Sequence, residues 1–139
     1  MTAPTSDNIR WFGELGIEDV ALVGGKNASL GELHRTLTPL GIRVPNGFAV
    51  TAGAYRETLA LSGATEELRR LMSGVDKSNI EDLARRARRA REIVYEAPLS
   101  ERLQNDIVND YQRLVEEYGP DVSMAVRSSA TAEDLPTAS

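Results

Sequence analysis

The chain has 139 residues, a formal net charge of −5 and no cysteine. That length suits one domain, and a chain of about 150 residues buries roughly 68–70% of its unfolded surface. With 41% hydrophobic and 27% charged residues, wholly disordered, collagen-like and low-complexity classes are excluded. The absent cysteine excludes a disulfide scaffold, a thiol nucleophile and a zinc–thiolate centre, and favours an intracellular compartment. The acidic balance disfavours nucleic acid as a partner, so an anion site has to be local.

No stretch approaches the roughly 20 apolar residues of a membrane span. The opening MTAPTSDN lacks the basic start and apolar centre of a signal peptide. Cytoplasmic location and no membrane partner are the expectations. In chain order, Ile9-Arg10-Trp11-Phe12 reads as an edge strand or packed arm. The apolar run from Val20 meets Gly24-Gly25 and feeds a helix carrying Ala28, Leu30, Leu33 and Leu37, capped by Asn27 or by the Ser29/Glu32 pair. Thr38-Pro39-Leu40-Gly41 breaks that helix, and Val44-Pro45-Asn46-Gly47 turns into a short strand, Phe48-Ala49-Val50.

Thr51 caps the next helix, which Gly63 ends before a short piece with Leu68, Leu71 and Met72. Ser78 and Glu81 have capping-box spacing ahead of Ile80, Leu83, Ala84, Ala87, Ala90 and Val94, a helical repeat. Its other face is dense in arginine: Arg85, Arg86, Arg88, Arg89 and Arg91. That face reads as solvated surface, with an acidic-partner surface as the competing reading. Beyond Pro98, Leu99, Leu103, Ile107, Tyr111, Leu114 and Tyr118 define a last amphipathic helix closed by Gly119-Pro120, expected to pair with the preceding one as a hairpin. Val122, Met124 and Val126 then alternate as a buried strand opening into a polar loop. The ending Thr137-Ala138-Ser139 reads as a cut rather than a natural terminus.

A lysine directly behind two glycines at a helix start is what a phosphate site asks for. Glycine permits close backbone approach, the amides and helix dipole attract an anion, and the ammonium adds charge. Gly24-Gly25-Lys26 is not a Walker A loop, which would need glycine at Val20 and Ser or Thr at Asn27. By itself it is equally a structural turn. Arg127, at the end of the alternating run, could fork onto a phosphate or latch onto Glu133 or Asp134. Together, two remote cations at the exits of small-residue segments point to a composite site.

His34 is the only histidine, so neither a histidine metal cluster nor a Ser-His-Asp triad can be assembled, and it reads as a surface residue. Glu133 and Asp134 are neighbours on an extended segment and point apart, which argues against a shared metal. Ser128 and Ser129 have no visible base, and Trp11 and the tyrosines read as core or interface.

Three blocks carry a family resemblance. Val23 to Leu33 (VGGKNASLGEL), Val44 to Thr51 (VPNGFAVT) and Ala125 to Pro136 (AVRSSATAEDLP), in that order, closely resemble phosphoenolpyruvate synthases. Pyruvate phosphate dikinases and rifampicin phosphotransferases share the start but favour glycine after the lysine, so Asn27 and Ser29 tilt toward the synthases. The resemblance implies that residues 1–139 are the first portion of an ATP-grasp nucleotide-binding domain, an α/β fold in which a few mixed strands are covered by helices. It further implies ATP as ligand, with Lys26 and Arg127 on its phosphates in catalytic and binding roles and Gly24 and Gly25 shaping the loop. Magnesium ligands, a phosphohistidine domain and a pyruvate-binding barrel would lie outside this chain, and His34 does not match the phosphohistidine motif. The whole reaction would convert ATP, pyruvate and water into AMP, phosphoenolpyruvate and phosphate. The isolated chain is expected to be inactive and, with an open sheet edge, to self-associate. The competing reading is a non-catalytic interaction module working through the arginine-rich helix.

Overall fold

The computed structural model describes residues 7–132. They form two compact units, one built from the chain up to Ala54 and from Glu101 onward, the other spanning Tyr55–Ser100.

In the first unit, β1 (Ile9–Trp11) pairs antiparallel with β2 (Phe48–Val50), with Ile9 opposite Val50 and Trp11 opposite Phe48. Ile9 and Trp11 are buried while Arg10 between them is half-buried, the period of two that a strand with one covered face requires. The Trp11 and Phe48 rings lie 5.5 Å apart between centroids, and the Arg113 guanidinium sits 4.3 Å from the Trp11 ring centre. That geometry combines cross-strand aromatic packing with a cation–π contact.

Helices α1 (Val20–Val23) and α2 (Gly25–Leu37) are separated by Gly24 alone. Leu15, Val23, Ala28 and Ala49 form the core, with Phe12, Val20 and Leu22 packed on it. Gly31 lets α2 close on Leu15: a Cβ there would stand 2.8 Å from the Leu15 carbonyl oxygen. A 3-10 turn at Thr38–Leu40 and Gly41, in the left-handed region, end this stretch. Thr51 is buried; its Oγ1 accepts from the Ala54 amide at 3.2 Å and so caps α3 (Ala52–Leu61), as the sequence predicts. Helix α6 (Glu101–Tyr118) is tied in at one end by Asn8 Nδ2 donating to Asp106 (3.0 Å). At the other, the Asn46 amide donates to the Tyr118 hydroxyl (2.7 Å).

The second unit contains most of α3, then α4 (Ala64–Met72) and α5 (Ile80–Glu96). Its core is Leu59, Ala64 and Ile93, flanked by Leu68, Leu71 and Val94.

The fold is therefore helix-rich α/β, with several departures from expectation. Among the described residues the sheet is one antiparallel pair, not several mixed strands. Residues 122–126 form no strand: Val122 and Met124 are half-buried, but Val126 is 96% exposed. Alternation supplies a face to bury, whereas a strand also needs a hydrogen-bonded neighbour, and no described segment pairs with this one. Helix α5 is covered by α4 within the second unit, and α6, expected to pair with it as a hairpin, belongs to the first. The cap of α5 is Asn79, whose Oδ1 accepts from the Asp82 amide at 3.1 Å; Ser78 instead bonds Asp76. No side chain within α2 caps that helix: Asn27 Nδ2 donates backwards to the Val23 carbonyl, and Glu32 accepts from the Ile17 amide.

Candidate functional site

The cap missing from α2 comes from the far end of the described chain. Gly24 has φ 84° and ψ 162°, a backbone region that is essentially glycine's own. The space a side chain would take is filled by the 129–130 backbone: a Cβ on Gly24 would lie 2.9 Å from the Ser129 carbonyl carbon and 3.0 Å from the Ala130 nitrogen, and would collide with Ser129 Oγ. Three hydrogen bonds fix this contact. The Gly25 amide donates to the Ala130 carbonyl (3.1 Å), the Asn27 amide to Ser129 Oγ (3.3 Å), and Lys26 Nζ to the Ser128 carbonyl (3.0 Å).

Lys26 thus bonds the residue that follows Arg127, although 102 positions separate it from Ser128. Lys26 is half-buried and Arg127 is exposed, and among the described residues the Arg127 guanidinium has no hydrogen-bonding or ion-pair partner. A latch to Glu133 or Asp134 lies outside the described residues. Two amides of the first turn of α2, expected to face an anion, are engaged by the chain itself. What the region offers an anion is the Lys26 ammonium and the Arg127 guanidinium, carried by backbone segments in direct contact, beside the positive end of a 13-residue helix. Gly24 and Gly25 shape this junction.

His34 does not join it. It is half-buried and lines a separate cleft of about 520 Å³ with Ile42, Arg43, Val44, Glu117 and Tyr118. Among the described residues no group of three or more His, Asp or Glu could hold a metal ion. Sequence reasoning missed Ser129. Judged as a nucleophile it lacks a base, but its part here is to accept a backbone hydrogen bond, and no local spacing signals a cap from 102 residues away.

The arginine-rich face of α5 is largely committed within its own unit. Asp82 accepts from both Arg85 and Arg86, whose hydrogen bonds, Arg85's first, hold its carboxyl below the usual carboxylate range. Arg86 also donates to the carbonyls of Leu71 (2.6 Å) and Ser73 (2.9 Å) at the end of α4. Arg89 bridges Glu92 and Glu67, and hydrogen bonds to both raise its pKa.

Comparison with known proteins bears on the Lys26–Arg127 junction. Residues 20–139 match the family described as pyruvate phosphate dikinase, AMP/ATP-binding domain. The phosphoenolpyruvate synthase of Synechocystis sp. is 46% identical over 94% of this chain, and that of Neisseria meningitidis 46% over 96%. The Escherichia coli enzyme of the same name is 41% identical over 97%. Each alignment covers 17% of the relative, so this chain spans about a sixth of the length of the curated proteins it matches.

Proposed function

Because the chain belongs to the pyruvate phosphate dikinase AMP/ATP-binding domain family, we propose that it is the phosphate-gripping front of the ATP site in a phosphoenolpyruvate synthase. In this reading the domain is of the ATP-grasp type. The Lys26 ammonium and the Arg127 guanidinium hold the ATP phosphates, while Gly24 and Gly25 keep the two segments in register. The observation that carries it is the 3.0 Å bond from Lys26 Nζ to the Ser128 carbonyl, one residue beyond Arg127. Phosphoryl transfer asks a protein chiefly for positioning and for cations around developing charge, and these two residues supply both.

A magnesium ion, when bound, would neutralise phosphate charge. Among the described residues no carboxylate cluster is present, and in this reading the magnesium ligands and pyruvate recognition are assigned to other segments of the synthase. The chain alone is expected to transfer no phosphoryl group. No described helix is long and apolar enough to cross a membrane. The exposed Val126 side chain, at the end of a run without a sheet partner among the described residues, supports self-association of this piece, which light scattering across a concentration series would register. The interaction-module reading draws less support, since Arg85, Arg86 and Arg89 already have partners.

The test is a chemical-shift titration with ATP, which reads millimolar affinities. A charge-assisted contact is worth about 1.5–3 kcal/mol. Lys26→Ala and Arg127→Ala should therefore each weaken binding roughly ten- to a hundredfold, read as titration curves displaced to higher ATP concentration. Unchanged titration curves for both variants would rule the reading out.

A further inference from the structure

We propose that Ser129 is a positioning residue for the nucleotide site: its hydroxyl, capping α2 from the opposite end of the described chain, sets the placement of Arg127 relative to Lys26 without touching ATP. The inference rests on the ATP reading above. Its physical basis is the order of contacts along four residues. Arg127 is followed by Ser128, whose carbonyl accepts from Lys26 Nζ, then by Ser129, whose Oγ accepts from the Asn27 amide, then by Ala130, whose carbonyl accepts from the Gly25 amide. Two of those three acceptors are backbone atoms that any sequence would carry. The third, Ser129 Oγ, is the one acceptor that a side chain supplies.

The first amides of a helix have no partner within it, and a side-chain oxygen normally supplied by the residue just before the helix satisfies one of them. Here that preceding residue is Gly24, which has no side chain to offer. Gly24 and Ser129 are therefore complementary: the first leaves both the amide and the space open, and the second fills both. Residues 122–126 lack a sheet partner among the described residues, and the Arg127 segment grips the α2 turn through the three hydrogen bonds at residues 128–130. Losing the Ser129 hydroxyl would let Arg127 swing away from Lys26 while both cations remained intact.

Ser129→Ala and Ser129→Thr in the 139-residue chain test this, each followed by amide hydrogen exchange and by the ATP titration. Loss of the hydroxyl should speed exchange at the Asn27 amide by about tenfold, with the β1–β2 and α6 amides unchanged as the check on folding. It should also weaken ATP about tenfold, while threonine, which keeps the oxygen, should stay within threefold of wild type. A readout that a merely structural role would not move is the coupling between Lys26→Ala and Arg127→Ala. On the parent background the two losses should be non-additive, and on the Ser129→Ala background they should become additive. Undisturbed Asn27 exchange and ATP affinity in Ser129→Ala, with Lys26→Ala and Arg127→Ala still damaging, would overturn the inference and leave the ATP reading standing. Indifference of ATP binding to all of these variants would overturn both.

Discussion

The two units use charge and polarity in opposite ways. In the first, the defining polar contacts join residues about a hundred positions apart: Lys26 to Ser128, Asn27 to Ser129, Asn8 to Asp106. In the second, most ion pairs join residues three or four apart on one helix: Arg69 to Glu66, Arg85 and Arg86 to Asp82, Arg89 to Glu92. Local pairs of this kind steady a helix by a few tenths of a kcal/mol and neutralise its surface. Remote contacts fix where a cation stands relative to another element, which is what a binding site requires. Five arginines of one helix therefore make the less promising site, and a single lysine and a single arginine the better one.

The sharpest way to break that comparison is at Gly24. A Gly24→Ala chain would combine a positive φ with a Cβ driven against the 129–130 backbone, for a loss of about 3 kcal/mol in stability. Urea unfolding would measure it. Gly41→Ala separates the two causes: its φ is 79° but nothing lies within 4 Å of the added Cβ, so strain alone should cost about 1 kcal/mol. Equal losses at both positions would show that the 129–130 segment is not packed on the turn.

The same contrast governs what could be read from the residues alone. Helices α2 to α6, the β1 and β2 segments and the Thr51 cap are written in local periodicity and turn chemistry and stand where that pattern puts them, whereas α1 lies in the apolar run from Val20, for which the sequence predicts no element. Lys26 and Arg127 were legible as candidates because each is a cation behind a run of small residues. The parts that escaped are those settled by partners. Val122, Met124 and Val126 have the alternation of a strand, but no described neighbour bonds to them. The α5 cap shifted by one residue because Asp76 competes for Ser78 through both its amide and its hydroxyl. The role of Ser129 depends on a contact across 102 positions that no window of sequence contains.

A smaller effect should appear in the second unit, where Arg86, like Arg89 with its bond to Glu67, departs from the local rule. Arg86 reaches back 15 positions to the Leu71 carbonyl, and to that of Ser73, satisfying acceptors that the end of α4 leaves open. Its side chain is 21% exposed, against 71% for Arg85. Arg86→Ala should lower stability by about 1–2 kcal/mol, discounted for that exposure, whereas Arg88→Ala, on the exposed face of the same helix, should stay within about 0.5 kcal/mol. Thermal unfolding of the pair of variants checks it. Similar behaviour of the two would mean that the arginine face is uniform after all, and that the second unit has no remote clamp.

The smallest expected effect is one of pH, and it tests whether the local pairs carry any stability at all. Asp82 has its carboxyl held below the ordinary value first by the Arg85 hydrogen bond and then by that of Arg86. A carboxylate with a depressed folded-state pKa binds its proton more weakly folded than unfolded. Its contribution is therefore complete above the unfolded value, near 3.8, and drains away as pH falls through the lower folded one. Acidification from neutrality should leave the second unit unaffected until the pH nears that range, and then lower its melting temperature. In Asp82→Asn the amide keeps the shape but has no proton to gain, so that part of the acid-side decline should flatten. Because Arg85, the first of its two partners, is 71% exposed, salt should shrink the difference between the two chains. An acid profile identical for wild type and Asp82→Asn at low salt would mean that the Asp82 pairs neutralise the helix surface without stabilising it, and that Arg86 contributes through its grip on the α4 carbonyls.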